Sequence, residues 1–145
     1  MPDAARMSRP LLLGHRGARA CKSISENTIA SFDQALADGC DGFEFDVRLT
    51  ADEEAVVCHD PKAAGFHVSR ATAKQLSHLP RLRDVLQRYR DSFLDIELKV
   101  KGLENHARPV PQAQATPGFR RLILCPRSAE IRLCPGRQRS TRPDL

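Results

Sequence analysis

The chain has 145 residues, 41% of them hydrophobic, which is enough for one domain with a buried core. No apolar run approaches the roughly 20 residues that cross a bilayer, and the three leucines after residues 1–10 are too few for a signal peptide. We therefore expect no transmembrane segment and a cytoplasmic protein. The five cysteines form neither a C-x-x-C pair nor a zinc spacing with histidine, so we expect reduced thiols.

The formal net charge of +5 comes from the carboxyl-terminal part of the chain. Residues 1–105 hold 15 basic and 16 acidic residues, whereas residues 106–145 hold eight arginines, no lysine, two acidic residues and six of the ten prolines. We expect one folded domain over 1–105 and an Arg/Pro-rich tail over 106–145 that forms no second domain. Nucleic-acid binding is not expected, because the arginines of the tail have a single aromatic neighbour, Phe119.

A strand and a helix are predicted at the start of the domain. Residues 11–14 form a short apolar run after Pro10, which is typical of a buried strand in a parallel sheet. Asn27 is a candidate cap for the following helix, and Gly39 is a stop signal. The helix has one apolar stripe at i, i+3 and i+7, made by Ile29, Phe32 and Leu36.

The segment 42–48 alternates strictly, which predicts a second strand. Its apolar face consists of Phe43, Phe45 and Val47. The opposite face carries Glu44 and Asp46. Two carboxylates side by side on a strand that is otherwise rich in aromatic residues need a functional explanation.

Two more strands are predicted further along the chain. Residues 55–58 form a short apolar run that leads into His59 and Asp60. Residues 93–100 alternate again, with Leu94, Ile96 and Leu98 on one face and Asp95, Glu97 and Lys99 on the other. The polar pattern of the second strand therefore repeats in the fourth.

Two helices are predicted between these strands. A clear amphipathic pattern at i, i+3, i+4 and i+7 is made by Leu82, Val85, Leu86 and Tyr89. A less regular helix is expected near residues 71–79, with Ser69 or Thr72 as its cap.

Strands that alternate with helices over about 90 residues predict a parallel sheet with right-handed crossovers, either an open doubly wound sheet or a barrel. The acidic strand faces favour the barrel, because acids can converge in a barrel mouth, whereas central strands of an open sheet are apolar on both faces. We expect an α/β fold of the TIM (β/α)8 barrel type with four β/α units, and a fifth if residues 121–124 form a strand.

Two histidines are candidate proton carriers. His15 and His59 follow the first and third predicted strands, so a barrel would bring both to one mouth. Cleavage of a phosphodiester requires one group to take a proton and another to deliver one, and imidazoles titrate in the right range. The residues alone leave open which histidine is the acid. Asp60 is a candidate support for His59, and Asn27 is either a helix cap or a site residue.

Charged residues at the same strand ends predict a metal and phosphate site. Glu44, Asp46 and Glu97 offer the carboxylate oxygens that Mg²⁺ or Ca²⁺ prefers. A divalent cation there would hold a phosphate and neutralise its charge. Arg16 and Lys99 are the candidate contacts to the phosphate oxygens.

These residues lie in five ordered motifs. The chain resembles the amino-terminal half of a glycerophosphodiester phosphodiesterase, a family with His-Arg-Gly, Pro-Glu-Asn-Thr, Glu-x-Asp-Val, His-Asp and Ile-Glu-x-Lys motifs. The matching segments are His15-Arg16-Gly17, Ser25-Glu26-Asn27-Thr28, Glu44-Phe45-Asp46-Val47, His59-Asp60 and Ile96-Glu97-Leu98-Lys99.

The resemblance implies a TIM-type barrel, a divalent cation that is Mg²⁺ or Ca²⁺, and hydrolysis of small-molecule glycerophosphodiesters to glycerol 3-phosphate and an alcohol. By motif position, it implies catalytic roles for His15 and His59. It also implies metal binding by Glu44, Asp46 and Glu97, and phosphate binding by Arg16 and Lys99.

The sequence departs from the family pattern in three ways. Ser25 replaces a proline, and the turn at residues 50–54 lacks the usual glycine. The resemblance covers residues 9–104, whereas a complete barrel has about 250 residues. We therefore expect a truncated barrel whose open strand edges favour self-association.

Two alternatives to the hydrolase remain open. The first is a truncated non-catalytic fragment that acts as a binding or interaction module, with the basic tail against acidic partners or lipid headgroups. The second is a phospholipase-type lyase that uses the same histidines and releases a cyclic phosphate.

Overall fold

The chain folds around one mixed five-stranded sheet, and its computed structural model describes residues 10–100 and the backbone of residues 121–124. The elements in chain order are β1 (Leu13–His15), α1 (Ile29–Ala37), β2 (Gly42–Leu49), β3 (Ala55–Val57), β4 (Lys62–Ala63), β5 (Phe66–His67), α2 (Leu82–Arg88), β6 (Phe93–Leu98) and β7 (Arg121–Leu124). A short 3₁₀ turn covers Val68–Arg70, and β4 and β5 form a separate small hairpin.

Three parallel strands form the centre of the sheet in the order β1, β2, β6. Their register places His15 opposite Glu44, and Asp46 opposite Glu97. Helix α1 connects β1 to β2, and α2 precedes β6. The predicted β/α arrangement is confirmed for these three strands, and their carboxyl ends meet at one edge.

The helix-facing side of the sheet is apolar, as the alternation predicts. Phe43, Phe45 and Val47 are fully buried, and the Phe43 ring stacks on Phe32 of α1 at a centroid distance of 4.1 Å. The same cluster contains Leu82, Val85, Tyr89, Leu94, Ile96 and Leu98. Burial of these side chains drives the packing of both helices against the sheet.

Two strands that were expected to be parallel run antiparallel. β3 pairs with β2 as a hairpin, and β7 pairs with β6. Only five residues separate β2 from β3, which is too short for a crossover connection. Without the family's glycine, Glu53 adopts a positive φ of 61° in this turn. The described residues thus contain three parallel strands instead of the four or five expected.

Two local predictions also differ from the structure. Residues 73–78 form turns instead of a helix, and the hydroxyl of Thr72 accepts a hydrogen bond from the Gln75 amide. Helix α1 is capped by Thr28, whose side chain accepts a hydrogen bond from the Ser31 amide, and not by Asn27.

Other predictions concern thiols, membrane spans and the tail. Cys21, Cys40 and Cys58 are free thiols. No helix in the described part of the chain has the length and hydropathy needed to cross a bilayer. The boundary at residue 105 and the structure of the 106–145 tail, apart from β7, lie outside the described residues.

Candidate active site

Three carboxylates converge where β2 and β6 lie side by side. The candidate ligand oxygens of Glu44, Asp46 and Glu97 all lie within 4.8 Å of one another. Glu44 and Asp46 are buried, and Glu97 is partly exposed. The donor set consists of oxygen atoms alone, which fits a hard cation such as Mg²⁺ or Ca²⁺.

The ammonium group of Lys99 lies beside this cluster. Its Nζ is 3.1 Å from Glu97 Oε1 and 3.4 Å from Asp46 Oδ1. Lys99 follows β6 directly, and its amide donates to the Val47 carbonyl of β2. One positive charge therefore offsets part of the repulsion among the three carboxylates.

His15 lies at the end of β1, next to the first carboxylate. Its Nε2 is 3.6 Å from Glu44 Oε2, and 57% of its side chain is exposed. Partial desolvation, followed by the charges of Arg16 and Arg19, lowers the pKa of His15 below its ordinary value. This shift favours the neutral form of the ring, which can accept a proton.

Arg16 connects the loop after β1 to the carboxylates. Its amide donates to Glu44 Oε2 at 3.1 Å, its Nη1 donates to Glu26 at 2.8 Å, and its Nε is 3.4 Å from Asp46 Oδ2. Its φ of 52° lies in the left-handed region, and Gly17 follows with a φ of 83°. A Cβ on Gly17 would lie 2.2 Å from Ser31 Oγ, so this sharp turn requires glycine.

Asn27 is a second connection between this loop and β2. Its amide donates to the Arg16 carbonyl at 3.0 Å, and its Nδ2 donates to Asp46 Oδ2 at 3.1 Å. Asn27 has a φ of 55°, a conformation that asparagine tolerates better than most residues. The sequence allowed two roles for Asn27, a helix cap or a site residue. In the structure its side chain contacts Asp46, a candidate metal ligand.

His59 lies two residues after the end of β3, the strand that pairs with β2. The Cys58 amide donates to the Asp46 carbonyl at 3.0 Å, which places the His59 backbone beside β2. The His59 Nδ1 is 2.7 Å from Asp60 Oδ1. This hydrogen bond is the main reason why the pKa of Asp60 is below its usual value, and the Asp60 carboxylate therefore stays ionised near neutral pH.

The neighbours of His59 are also engaged. The guanidinium of Arg48 donates to the His59 carbonyl from Nε at 2.9 Å and from Nη2 at 2.7 Å. The Cys58 thiol donates to the Asp60 carbonyl, and burial raises the pKa of this thiol. Sequence reasoning did not single out Arg48, although it shares the polar face of β2 with Glu44 and Asp46.

Several curated relatives with similar sequences are named glycerophosphodiester phosphodiesterases. The chain is 41% identical over 83 residues to the probable glycerophosphodiester phosphodiesterase 1 of Mycobacterium tuberculosis, a match that covers 53% of this chain and 29% of that protein. It is 48% identical over 52 residues to the glycerophosphodiester phosphodiesterase of Caldanaerobacter subterraneus, covering 36% of this chain and 21% of that protein.

Solved structures with a similar fold belong to the same group. A glycerophosphodiester phosphodiesterase from Thermotoga maritima superposes with a TM-score of 0.63 at 28% identity, covering 72% of this chain and 50% of that chain. An Oleispira antarctica phosphodiesterase, solved in complex with the product sn-glycerol-3-phosphate, superposes with a TM-score of 0.56 at 26% identity, covering 69% and 49%. These similarities confirm the expected fold class, a partial α/β barrel.

The chain spans half or less of the length of these relatives. The model of the glycerophosphoryl diester phosphodiesterase family matches residues 15–116, which begins at His15 and includes all seven predicted site residues. The chain therefore belongs to the glycerophosphoryl diester phosphodiesterase family.

Proposed function

We propose that this chain carries the metal-binding and proton-transfer residues for hydrolysis of a glycerophosphodiester to glycerol 3-phosphate and an alcohol. The observation that carries the proposal is the cluster of Glu44, Asp46 and Glu97, whose oxygens lie within 4.8 Å of one another beside His15. A phosphodiester is an anion, and three carboxylates repel an anion unless a divalent cation lies between them. The cluster therefore favours a metal-dependent reaction.

The proposed ligands of the cation are the three carboxylates, and Mg²⁺ or Ca²⁺ fits their oxygen atoms. When bound, the cation would neutralise the phosphate and act as a Lewis acid toward a phosphoryl oxygen. Arg16 and Lys99 are the proposed contacts to other phosphate oxygens, because each already places a nitrogen 3.4 Å from an Asp46 oxygen. Two fixed cations beside the carboxylates suit an anionic substrate.

His15 and His59 are proposed to carry the two protons of the reaction. One ring takes the proton of the attacking hydroxyl, and the other delivers a proton to the leaving alkoxide. The contact of His59 Nδ1 with Asp60 supports Nε2 as the nitrogen that exchanges the proton. Attack by water gives glycerol 3-phosphate, whereas attack by a hydroxyl of the substrate gives a cyclic phosphate.

The test is incubation of the purified chain with glycerophosphocholine and Mg²⁺ or Ca²⁺, followed by ³¹P NMR of the products. We expect glycerol 3-phosphate to form, and EDTA to stop its formation. His15→Ala and His59→Ala should each lower the rate by about 100-fold or more. His78→Ala is the matched control, because His78 is exposed on the 73–78 turns. A cyclic phosphate as the final product would support the lyase instead.

The second candidate function is a non-catalytic binding or interaction module over residues 1–105 with a basic tail over 106–145. It is favoured by the edge of β6, where β7 pairs antiparallel instead of continuing the parallel sheet. A folded chain that shows a metal-dependent rise in melting temperature but releases no product would support this module. Limited proteolysis that cuts near residue 105 would support the proposed boundary.

We also propose self-association through the open edge of the sheet. In the described part of the chain, β1 pairs with β2 alone, and 55% of Leu12 is exposed just before it. Two copies that pair along β1 would cover this edge. Analytical ultracentrifugation should give a dimer, and a monomer at all concentrations would contradict the proposal. The cytoplasmic location stays a prediction from the sequence.

A further inference from the structure

We propose that Arg48 is a positioning residue that sets the location of His59 relative to the carboxylates of β2. The inference rests on the proposed function, since His59 matters only if it transfers a proton. Arg48 lies two residues after Asp46 and four after Glu44, on the same face of the same strand. Its guanidinium donates two hydrogen bonds to one acceptor, the His59 carbonyl.

The His59 carbonyl lies just beyond regular structure. β3 ends at Val57, and the last pairing contact to β2 is the Cys58 amide with the Asp46 carbonyl. The next backbone anchor is the Val68 amide, which donates to the Pro61 carbonyl at 3.0 Å and closes the β4–β5 hairpin. Arg48 provides a contact from β2 to the dipeptide between these two anchors.

The chemistry of the contact suits a positioning role. A guanidinium is planar and permanently charged, so Nε and Nη2 hold the carbonyl oxygen from two directions at 2.9 and 2.7 Å. Fixing this peptide group restricts the direction of the His59 Cα–Cβ bond. The same peptide group joins His59 to Asp60, whose carboxylate contacts the imidazole, so fixing it also restricts the geometry of the ring contact.

The contact also relates the two halves of the site. β2 carries Glu44 and Asp46, and Arg48 connects the same strand to His59 in the segment between β3 and β4. A displacement of about 1 Å between a catalytic group and its substrate costs on the order of 100-fold in rate. Loss of Arg48 should therefore lower kcat while the metal and phosphate contacts, and with them KM, stay nearly the same.

The test compares Arg48→Gln and Arg48→Lys with the control Arg83→Gln. Arg83 is an exposed arginine of α2 that pairs with Glu54. With saturating metal, we expect Arg48→Gln to lower kcat by about 10- to 100-fold with KM within about threefold. Lysine keeps the positive charge but has a single donor nitrogen in place of the two that contact the carbonyl, so Arg48→Lys should recover part of the rate. If Arg48→Gln does not fold, the comparison is made with Arg48→Lys instead. Arg83→Gln should match the unmodified chain.

A second readout does not depend on activity. Long-range ¹H–¹⁵N NMR of the histidine rings, assigned with His59→Ala, should show the Nδ1–H form of His59 in the unmodified chain and a mixture of forms in Arg48→Gln. Unchanged ring signals together with an unchanged kcat would overturn the inference. If the unmodified chain releases no product, the proposed function fails, and the ring signals alone decide the role of Arg48.

Discussion

The two faces of β2 differ in what they hold, although they belong to one strand. On the helix-facing side, Phe43 and Phe45 are fully buried among other apolar side chains. On the opposite side, Glu44 and Asp46 are also buried, but charged and polar groups surround them. Because side chains alternate along a strand, neighbouring residues of β2 point to the apolar core and to the candidate active site in turn. Substitutions on the two faces should have different effects.

The largest expected effect is loss of stability on the apolar face. Phe43→Ala removes a ring that stacks on Phe32 at 4.1 Å and leaves a cavity. We expect the free energy of unfolding to fall by about 3–5 kcal/mol, as measured by urea denaturation. Phe66→Ala is the matched control, because 42% of Phe66 is exposed on β5. A similar loss in both variants would contradict the assignment of the apolar face as the core.

The polar face should respond to metal instead. Glu44→Gln removes one of three converging charges, so we expect the metal-free stability to change by less than about 1 kcal/mol. With Mg²⁺ or Ca²⁺ at about 100 times its Kd, the unmodified chain should gain about 2.7 kcal/mol and the variant much less. Thermal melting with and without EDTA measures this difference. Asp91→Asn changes an exposed carboxylate and is the control, so it should keep the full metal-dependent gain in stability. The same full gain in Glu44→Gln would contradict a role for Glu44 in metal binding.

The stability of the core packed against the apolar face should also depend on pH, through Tyr89. Tyr89 is the single tyrosine of a chain without tryptophan, and its hydroxyl donates to Asp33 at 2.7 Å. Burial, followed by the bond to Asp33, raises the pKa of Tyr89 to about 12. Because an unfolded tyrosine ionises at about 10, folding favours the neutral phenol. Its stabilising contribution is complete below pH 10 and is lost as the pH rises to about 12.

Absorbance at the phenolate band during an alkaline titration reports this one residue directly. We expect ionisation near pH 12 in the folded chain, accompanied by loss of stability that Tyr89→Phe does not show. Ionisation at about pH 10 with the fold intact would contradict the hydrogen bond between Tyr89 and Asp33.

The smallest expected effect concerns the cap of α1. Thr28→Ala removes the acceptor for the Ser31 amide and should cost about 1 kcal/mol in urea denaturation. Thr28→Ser keeps the hydroxyl and should cost less. The metal response should persist in both variants, and its loss would show that the cap also orders the neighbouring Asn27 contact.

The local periodicity of the sequence predicted α1, α2 and both faces of β2 and β6, because alternation and helical spacing are short-range signals. The direction of β3 was missed, although the five residues between β2 and β3 exclude a crossover. The antiparallel pairing of β7 depends on contacts distant in sequence and has no local signal. Asn27 could not be assigned because asparagine suits both a cap and the left-handed position that it occupies.

The ammonium of Lys99 between Glu97 and Asp46 has a consequence for the order of assembly. Folding brings like-charged metal ligands close together, and many small metalloproteins therefore fold only when the metal is bound. Here the chain supplies an internal counter-ion from the end of β6 itself. Folding would therefore not depend on the proposed divalent cation, and that cation would compete with Lys99 for the two carboxylates.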